Sequence, residues 1–238
     1  MEAEIAEPLT IEVGQVINNW RVTKELGRGT YGAVFQVVND VIQRDAAMKV
    51  ERRSIGPEYR MLKIEVAVMG ELRNKNSKNC VQLIDHGCTP TFNYMVMNLV
   101  GSNLESLAKK IAKLNNKSES KFSPYTAFAI GISTLDTLCD LHKNLFLHRD
   151  VKPANFAIGC RASDLETIYL LDFGTTRRYA KQSGLHHRPR AKGPKSSGRY
   201  LVVAVYVDKS NSGQIAVVDV ANARALHVHS ATGKVRSS

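Results

Sequence analysis

Residues 148–155 read H-R-D-V-K-P-A-N, and their types and spacing suit chemistry at a phosphate group. Asp150 is spaced to orient an attacking hydroxyl and to accept its proton. Lys152, two residues later, can neutralise the charge that develops on a transferred phosphoryl group. The motif therefore predicts transfer of a phosphoryl group to a hydroxyl, with Asp150 and Lys152 as catalytic residues.

Two further side chains in this region supply oxygen ligands for a metal ion. Asn155 closes the motif, and Asp172 opens a D-F-G sequence at 172–174, after a short strand-like run at 168–171. Amide and carboxylate oxygens are ligands that Mg²⁺ prefers, and Mg²⁺ commonly bridges the phosphates of a nucleotide. We expect Asn155 and Asp172 to be catalytic residues that hold Mg²⁺.

Three glycines, Gly27, Gly29 and Gly32, lie in the sequence L-G-R-G-T-Y-G-A-V between two strand-like runs. Such a loop could close over phosphates where a side chain would collide. A dinucleotide-binding loop is disfavoured, because a strand rather than a helix follows. A glycine-rich hairpin with a structural role alone remains open.

Lys49 lies on a strand-like run, A-A-M-K-V, and Glu65 follows sixteen residues later in a helical pattern. A lysine that reaches the α and β phosphates needs an anion to hold it, and a glutamate on a helix packed against the sheet can supply that ion pair. If this pair stood alone, two solvated surface charges would be the favoured interpretation.

The elements that must position these residues change in character along the chain. Residues 16–50 interleave apolar and polar residues between turn signals, which predicts an antiparallel meander. From Glu58 to Arg73 the apolar spacing becomes three and four residues, which predicts a helix that carries Glu65. Strand character returns at 81–84 and 94–100. Strands followed by helices predict an α+β fold with two lobes.

Two helices are predicted in the second half of the chain. The first is marked by Leu104, Leu107, Ile111 and Leu114. The second begins at about Pro124, and its predicted inward side chains are Phe128, Ile132, Leu135 and Cys139. The final residues form strand-like runs that begin at Leu201.

Composition places limits on the class of protein. The chain has 238 residues, of which 43% are hydrophobic and 23% charged, so one large domain or two small ones are expected. The four cysteines have no C-x-x-C spacing, which argues against a zinc ribbon. The acidic N-terminus does not resemble a signal peptide, and no apolar run approaches the roughly 20 residues of a membrane span. We expect an intracellular, cytoplasmic protein without membrane association, and a nuclear location stays open.

The net charge of +11 predicts acidic partners, and much of it lies in one stretch. No acidic residue occurs between Asp172 and Asp208, whereas lysines and arginines accumulate there. Nucleic acid is not expected as a partner, because charge is its only support. His227 and His229 alternate on a strand-like run but lack a third ligand in fixed spacing, so we interpret them as surface residues.

The motifs together resemble the eukaryotic protein kinases over residues 20–194, and are most similar to the casein kinase 1 family and its tau-tubulin kinase branch. The segments that carry the resemblance are L-K-I-E-V-A-V around Glu65, F-N-Y-M-V-M at 92–97, F-L-H-R-D at 146–150 and A-N-F-A-I-G at 154–159. The position of Lys152 is similar to that in serine/threonine kinases. The resemblance implies a protein-kinase-like fold with an antiparallel-sheet N-lobe and a mainly helical C-lobe, and the use of ATP and Mg²⁺.

The same resemblance implies a nucleotide pocket. Met97 corresponds to the gatekeeper, and residues 98–101 to the hinge whose backbone meets adenine. Val34, Ala47 and Ala157 match positions that sandwich the base. The implied nucleotide-binding residues are Leu26, Gly27, Gly29, Gly32, Val34, Ala47, Lys49, Glu65, Met97, Asn98, Val100 and Ala157.

The basic sequences R-R-Y at 177–179 and H-H-R-P-R at 186–190 resemble the activation loop of that branch. Positive charge there suits protein substrates that are acidic or already phosphorylated. The resemblance thus implies a protein serine/threonine kinase that transfers the γ-phosphate of ATP to such substrates.

The resemblance fades near Pro194, before the further helices of a kinase lower lobe. Either the strand-like tail replaces those helices or the chain is truncated, and we favour truncation with an incomplete C-lobe. The alternative function is then a catalytically impaired nucleotide-binding fragment that acts through protein interaction. The expected division is an acidic leader at 1–15, N-lobe and hinge at 16–101, a partial C-lobe at 102–194 and a basic, then strand-like tail at 195–238.

Overall fold

A computed structural model describes residues 9–30, 32–54, 56, 60–75, 77, 79–116, 122–181, 184–187, 200–205, 214–219, 224–230 and 235–236. The chain divides into two compact units, which are described separately. The first unit comprises Met1–Asn76, Val81–Val100 and Asp172–Thr175. The second comprises Ser77–Cys80, Gly101–Leu171 and Thr176–Ser238.

A six-stranded antiparallel sheet forms the first unit, in the order β1-β2-β3-β4-β6-β5. Its strands are β1 (Val16–Ile17), β2 (Trp20–Arg28), β3 (Gly32–Asn39), β4 (Arg44–Arg52), β5 (Leu83–Cys88) and β6 (Phe92–Asn98). The meander predicted for residues 16–50 is confirmed. The last two strands lie later and earlier, respectively, than predicted, because Thr89 closes a tight turn between them: its Oγ1 accepts a hydrogen bond from the Phe92 amide at 3.0 Å.

The two faces of this sheet differ because side chains alternate along each strand. On β3 and β4, Ala33, Phe35, Met48 and Val50 are buried in one core. Leu9 and Ile11 join that core from the N-terminal segment, together with Trp20 and Val22 of β2. The opposite face carries Lys49 and its neighbours.

The helix of the first unit, α1, spans Leu62–Asn74 and begins four residues later than the sequence pattern predicts. The first amides of the helix, those of Met61 and Leu62, donate hydrogen bonds to the Glu51 side chain, which sets where the helix begins. The buried side chains of α1 are Leu62, Glu65, Val68, Met69 and Leu72. A charged residue therefore occupies the middle of the buried face.

Two helices dominate the second unit, as predicted: α2 (Leu104–Leu114) and α3 (Pro124–Lys143). Asn103 caps α2 by accepting a hydrogen bond from the Ser106 amide at 2.8 Å. Ser123 caps α3 through the Thr126 amide at 3.1 Å. No helix in the described part of the chain is both long and apolar enough to cross a membrane.

The predicted inward face of α3 is wrong in its first half. Phe128 and Ile132 are 43% and 60% exposed. The buried residues in the second half of the helix are Thr134, Thr137, Leu138, Leu141 and His142. Thr137 fits the interior because its hydroxyl donates to the carbonyl of Ser133 at 2.7 Å. Apolar spacing identifies residues that share a helix face, but the packing partner decides which face is covered.

Short antiparallel strand pairs hold the loops of the second unit. Their strands are β7 (Phe146–Leu147) with β10 (Arg177–Arg178), β8 (Phe156–Ile158) with β9 (Ile168–Leu170), and β11 (Ala180–Lys181) with β12 (Gly184–His187). The segment between β7 and β8 contains Asp150, Lys152 and Asn155. Two paired strands thus fix both ends of the predicted catalytic loop.

The strand-like tail forms a four-stranded antiparallel sheet of β13 (Tyr200–Val205), β14 (Gln214–Asp219), β15 (Arg224–Ser230) and β16 (Val235–Arg236). The structure does not describe the side chains of His227 and His229, so their interpretation as surface residues stays a prediction. The basic residues at 188–199 also lie outside the described part of the chain. The α+β class is confirmed: the first unit combines an antiparallel sheet with α1, and the second combines α2 and α3 with smaller antiparallel sheets.

Candidate active site

A group of three charged side chains in the first unit joins β4, α1 and the D-F-G segment. Lys49 Nζ lies 2.7 Å from Oε2 of Glu65 and donates a hydrogen bond of 3.1 Å to Oδ1 of Asp172. The approach to Glu65 is an ion pair without hydrogen-bond alignment. Lys49 is thus held between two carboxylates, and the alternative of two solvated surface charges is excluded.

Burial governs the titration of this group. Burial raises the pKa of Glu65 to about 7, against the opposing effect of the Lys49 charge and with a contribution from Asp172. Burial alone would lower the pKa of Lys49, but the charges of Glu65 and Asp172 outweigh it and the pKa is raised. Burial alone would raise the pKa of Asp172, but Lys49 outweighs it and the pKa is lowered. Lys49 stays cationic and Asp172 anionic at neutral pH, while Glu65 titrates.

The D-F-G segment has a backbone that side-chain packing must hold. Asp172 has a φ of 61°, in the left-handed region that a non-glycine residue adopts at a cost of about 1 kcal/mol or more. Phe173 is completely buried. A Cβ on Gly174 would lie 2.8 Å from Cβ of Met61, so only glycine fits beside the start of α1. These contacts fix the carboxylate that meets Lys49.

One face of the sheet collects most of the nucleotide-binding residues that the resemblance implies. Cross-strand partners share a face, and the register pairs Val34 with Lys49, Ala47 with Met97, and Gly27 with Val34. Ala47 is buried, whereas Val34 and Met97 are half-buried. Their contact with a nucleotide remains a prediction, but their common face is an observation.

The three glycines of the loop have different roles. A Cβ on Gly32 would lie 2.0 Å from the backbone oxygen of Val50, so close packing of β3 on β4 requires glycine there. Gly27 has nothing within 4 Å of such a Cβ, and Gly29 only the Gly32 carbonyl at 4.0 Å. Gly32 therefore has a structural role, and Gly27 and Gly29 leave open space beside the backbone.

The remaining predicted residues of the first unit lie at its edges. Leu26 is 45% exposed at the end of β2. Asn98 ends β6, and its Oδ1 accepts a hydrogen bond of 2.6 Å from the Gln82 amide. The Asn98 amide donates to the Gln82 carbonyl at 3.2 Å, so that backbone group already has a partner. Val100 is half-buried and is the last residue before the chain enters the second unit.

The predicted catalytic side chains of the second unit form their own cluster. Lys152 Nζ donates a hydrogen bond of 2.7 Å to Oδ2 of Asp150. Asn155 Nδ2 donates to the same oxygen at 3.0 Å and to the Asp150 carbonyl at 2.8 Å. Both side chains contact Oδ2, and the Asp150 side chain as a whole is 37% exposed.

His148 and Arg149 complete this loop, and sequence reasoning gave neither a role. His148 is buried, its Nδ1 accepts a hydrogen bond from the Asp150 amide at 3.3 Å, and its Nε2 donates to the Leu171 carbonyl at 2.8 Å. Arg149 has a φ of 74°, which indicates local strain. The H-R-D sequence draws attention to His148, but nothing in the local sequence indicates Leu171 as its partner.

Ala157 lies on β8 of the same unit and is completely buried. It pairs with Tyr169 on β9 and forms a bridge to Asn103, the residue that caps α2. Contact of Ala157 with adenine remains a prediction.

The two predicted Mg²⁺ ligands, Asp172 and Asn155, belong to different units and are described separately. Asp172 offers a carboxylate that is 47% exposed and has one oxygen beyond the contact with Lys49. Asn155 uses its amide nitrogen for Asp150, which leaves its carbonyl oxygen as a ligand. The described residues contain no group of three or more His, Cys, Asp or Glu side chains that could hold a metal. Each residue by itself therefore offers an oxygen of the kind that Mg²⁺ prefers, and their joint role as Mg²⁺ ligands remains a prediction.

Comparison with known proteins agrees with this geometry. Residues 20–193 match the model of the protein kinase domain. A Caenorhabditis elegans protein named as a serine/threonine-protein kinase is 39% identical over 171 residues, which cover 68% of this chain and 44% of that protein. A second, from the same organism, is 35% identical and covers 90% of this chain and 61% of its own length. Casein kinase I homolog 3 of Schizosaccharomyces pombe is 29% identical, with 82% of this chain and 42% of that protein covered.

The chain spans between 37% and 61% of the length of the first four relatives. The matched region contains every site residue described above, from Leu26 to Asp172. The relatives include casein kinase I proteins, in agreement with the motifs. The chain belongs to the protein kinase family.

Proposed function

We propose that this protein transfers the γ-phosphate of ATP to serine or threonine hydroxyls of protein substrates. The observation that carries the proposal is the arrangement of Lys49 between the carboxylates of Glu65 and Asp172. Two carboxylates already hold the lysine side chain in one conformation. Binding of phosphate oxygens to its ammonium group therefore costs little further conformational entropy. The protein kinase family supports the same chemistry.

Asp150 and Lys152 have complementary roles in this proposal. Oδ1 of Asp150 accepts the hydrogen of the substrate hydroxyl and orients its oxygen for attack. Lys152 and Asn155 hold the other oxygen, which keeps the carboxylate in a single orientation. The Lys152 ammonium also neutralises charge on the phosphoryl group during transfer.

Asn155 and Asp172 would hold Mg²⁺ in this proposal. When bound, Mg²⁺ neutralises charge on the β and γ phosphates. Lys49 binds the α and β phosphates, and Glu65 fixes the lysine. Gly27 and Gly29 let backbone amides approach the phosphates, because no atom occupies the place of their side chains.

We further propose acidic or already phosphorylated protein substrates. Arg177 and Arg178 on β10 support this preference through their charge and their place directly after the D-F-G segment. Arg178 stacks on the Phe146 ring at 4.4 Å, which fixes its guanidinium. Guanidinium groups bind carboxylate and phosphate well.

The test is transfer of labelled phosphate from ATP, with Mg²⁺, to an acidic serine/threonine peptide and to a neutral peptide of equal length. The matched control is Asp150→Asn, which preserves the shape of the side chain. Transfer that exceeds this control and favours the acidic peptide supports the proposal. Transfer equal to the control contradicts kinase activity, and equal transfer to both peptides contradicts the substrate preference.

A second candidate is a protein that binds nucleotide but transfers no phosphate. The exposed apolar side chains Tyr125, Phe128 and Ile132 on α3 favour it, because the unit that carries Asp150 has an uncovered helix face. Both candidates require nucleotide binding, which thermal unfolding with and without Mg-ADP tests. No shift in the unfolding temperature would contradict both. Ligand at 100 times its dissociation constant should add about 2.7 kcal/mol to the free energy of unfolding.

A further inference from the structure

Glu51 is a buried carboxylate for which the proposed function has no use. It lies two residues after Lys49 on β4 and is 7% exposed. Its Oε2 accepts hydrogen bonds from the backbone amides of Met61 at 2.7 Å and of Leu62 at 2.8 Å. These amides belong to the first turn of α1, where N–H groups have no partner within the helix and favour a negative charge.

Strand β4 and helix α1 contact each other at two points with matching spacing, Glu51 with the Met61 amide and Lys49 with Glu65. Lys49 and Glu51 lie on the same face of β4, about 6.6 Å apart along a strand. Met61 and Glu65 are one helical turn apart, about 6 Å along the axis. Glu51 therefore holds the start of the helix at the height at which Glu65, one turn later, reaches Lys49.

Stability alone does not account for this carboxylate. Its Oε1 is buried and has no hydrogen-bond partner among the described residues, which costs free energy. A helix is ordinarily capped by a serine, aspartate or asparagine at its own N-terminus. Here the residue at that position is Met61, so the capping group comes from the strand. A cap on the neighbouring strand fixes the helix relative to that strand, which a cap on the helix itself does not do.

We infer that Glu51 is a positioning residue for the Lys49–Glu65 pair: it fixes the height and rotation of α1 against β4. The inference deepens the proposed function and rests on it for its catalytic meaning. It predicts that loss of the Glu51 carboxylate releases Lys49 from Glu65, although Glu51 contacts neither residue's charged group in the structure.

The first experiment measures the rate at which an activated ester acylates the Lys49 amine of the folded 238-residue chain, by mass spectrometry of the peptide that contains Lys49. Glu51→Ala should raise that rate about fivefold. Glu51→Gln, which keeps an acceptor oxygen, should stay within twofold of the wild type. The matched control is Asp45→Ala, the loss of an exposed acid from the same strand, and it should change nothing.

The decisive measurement repeats Glu51→Ala in a Glu65→Ala background. If Glu51 acts through Glu65, its loss has no further effect on acylation there. The same fivefold change in both backgrounds would overturn the inference, since it would indicate general loosening. If Glu51→Ala does not fold, Glu51→Asp replaces it, because a carboxylate shorter by one methylene cannot reach both amides, and it should raise the rate in the same way. A wild-type rate in a folded Glu51 variant that has lost the cap also overturns the inference.

Mg-ADP affinity supplies the readout that separates this inference from the proposed function. Glu51→Ala should weaken Mg-ADP about tenfold in the wild-type background and by less than twofold in the Glu65→Ala background. Wild-type protein that binds no Mg-ADP would contradict the proposed function, while the acylation rates would still decide the role of Glu51. Equal weakening in both backgrounds would contradict the positioning role.

Discussion

The two units each contain a lysine–carboxylate pair with the same separation, 2.7 Å, but in different surroundings. The Glu65 side chain in the pair with Lys49 is 1% exposed, and the lysine 27%. In the pair of Lys152 with Asp150 the side chains are 51% and 37% exposed. Equal distances therefore do not mean equal roles. Water screens the attraction between Lys152 and Asp150. In the protein interior the attraction between Lys49 and Glu65 is stronger, and it is lost when Glu65 takes up a proton.

This difference matches a division of labour. The buried pair holds Lys49 in place and has one titrating member, Glu65, with its pKa at about 7. The exposed pair keeps the Asp150 carboxylate partly accessible to solvent, as the proposed contact with a substrate hydroxyl requires. Burial gives rigidity at one place, and exposure gives access at the other. The following substitutions test that contrast.

Asp150→Asn should have the largest effect. An amide cannot accept the hydroxyl proton, so we expect phosphate transfer to fall by about 10²- to 10⁴-fold. The thermal midpoint and the affinity for Mg-ADP should stay near the wild-type values, because the side chain is partly exposed and its shape is kept. Loss of folding or of nucleotide binding in this variant would show that the exposed cluster is structural.

Lys49→Met should have the second-largest effect, which is a loss of folding stability. Removal of one partner of a buried pair costs up to about 3 kcal/mol, and Glu65 can limit this cost by taking up a proton. The loss in the free energy of unfolding should therefore be larger at pH 8 than at pH 5.5. Urea unfolding at the two pH values measures it, and an equal loss at both would contradict the buried character of the pair.

The folding stability of the wild type and that of Glu65→Gln should depend differently on pH. The pKa of Glu65 is raised from 4.5 to about 7 on folding, so the folded state binds more protons between these values. Stability then falls as pH rises through this window, by about 2 kcal/mol between pH 5 and pH 8. Glu65→Gln does not titrate and should lack this fall. Parallel stability curves for the two proteins would disprove the raised pKa.

Lys152→Met should change stability least. Exposed ion pairs contribute between zero and about 1 kcal/mol, so the thermal midpoint should move by only a few degrees. Phosphate transfer should nevertheless decrease, because the ammonium is lost from the phosphoryl group. A loss of stability equal to that of Lys49→Met would remove the contrast between the units.

Local patterns predicted elements well and their faces less well. The apolar spacing from Leu104 and the proline at Pro124 predicted α2 and α3, because both signals lie within a few consecutive residues that a sequence displays directly. For Phe128 and Ile132 the spacing is helical, but exposure depends on what packs against the helix. The start of α1 depends on Glu51, ten residues earlier on another element, so the helical pattern alone placed it too early.

Short motifs were sufficient to predict part of the site. The H-R-D and D-F-G sequences predicted Asp150, Lys152, Asn155 and Asp172, because their chemistry depends on residue type and short spacing. The link from His148 to Leu171 joins residues 23 positions apart, and no local pattern indicates it. Nor did the sequence distinguish Gly32, which packing requires, from Gly27 and Gly29, which have open space beside them.

The amino-acid sequence by itself determined which groups are present, the helices and strands that carry them and the family to which the chain belongs. Those properties follow from residue types at short separations. The tertiary structure alone decided that Glu65 is buried beside Lys49, that Asp150 is not, and that Glu51 caps a helix from a neighbouring strand. Burial and capping across elements depend on residues distant in sequence, and desolvation by such residues is what raises the pKa of Glu65.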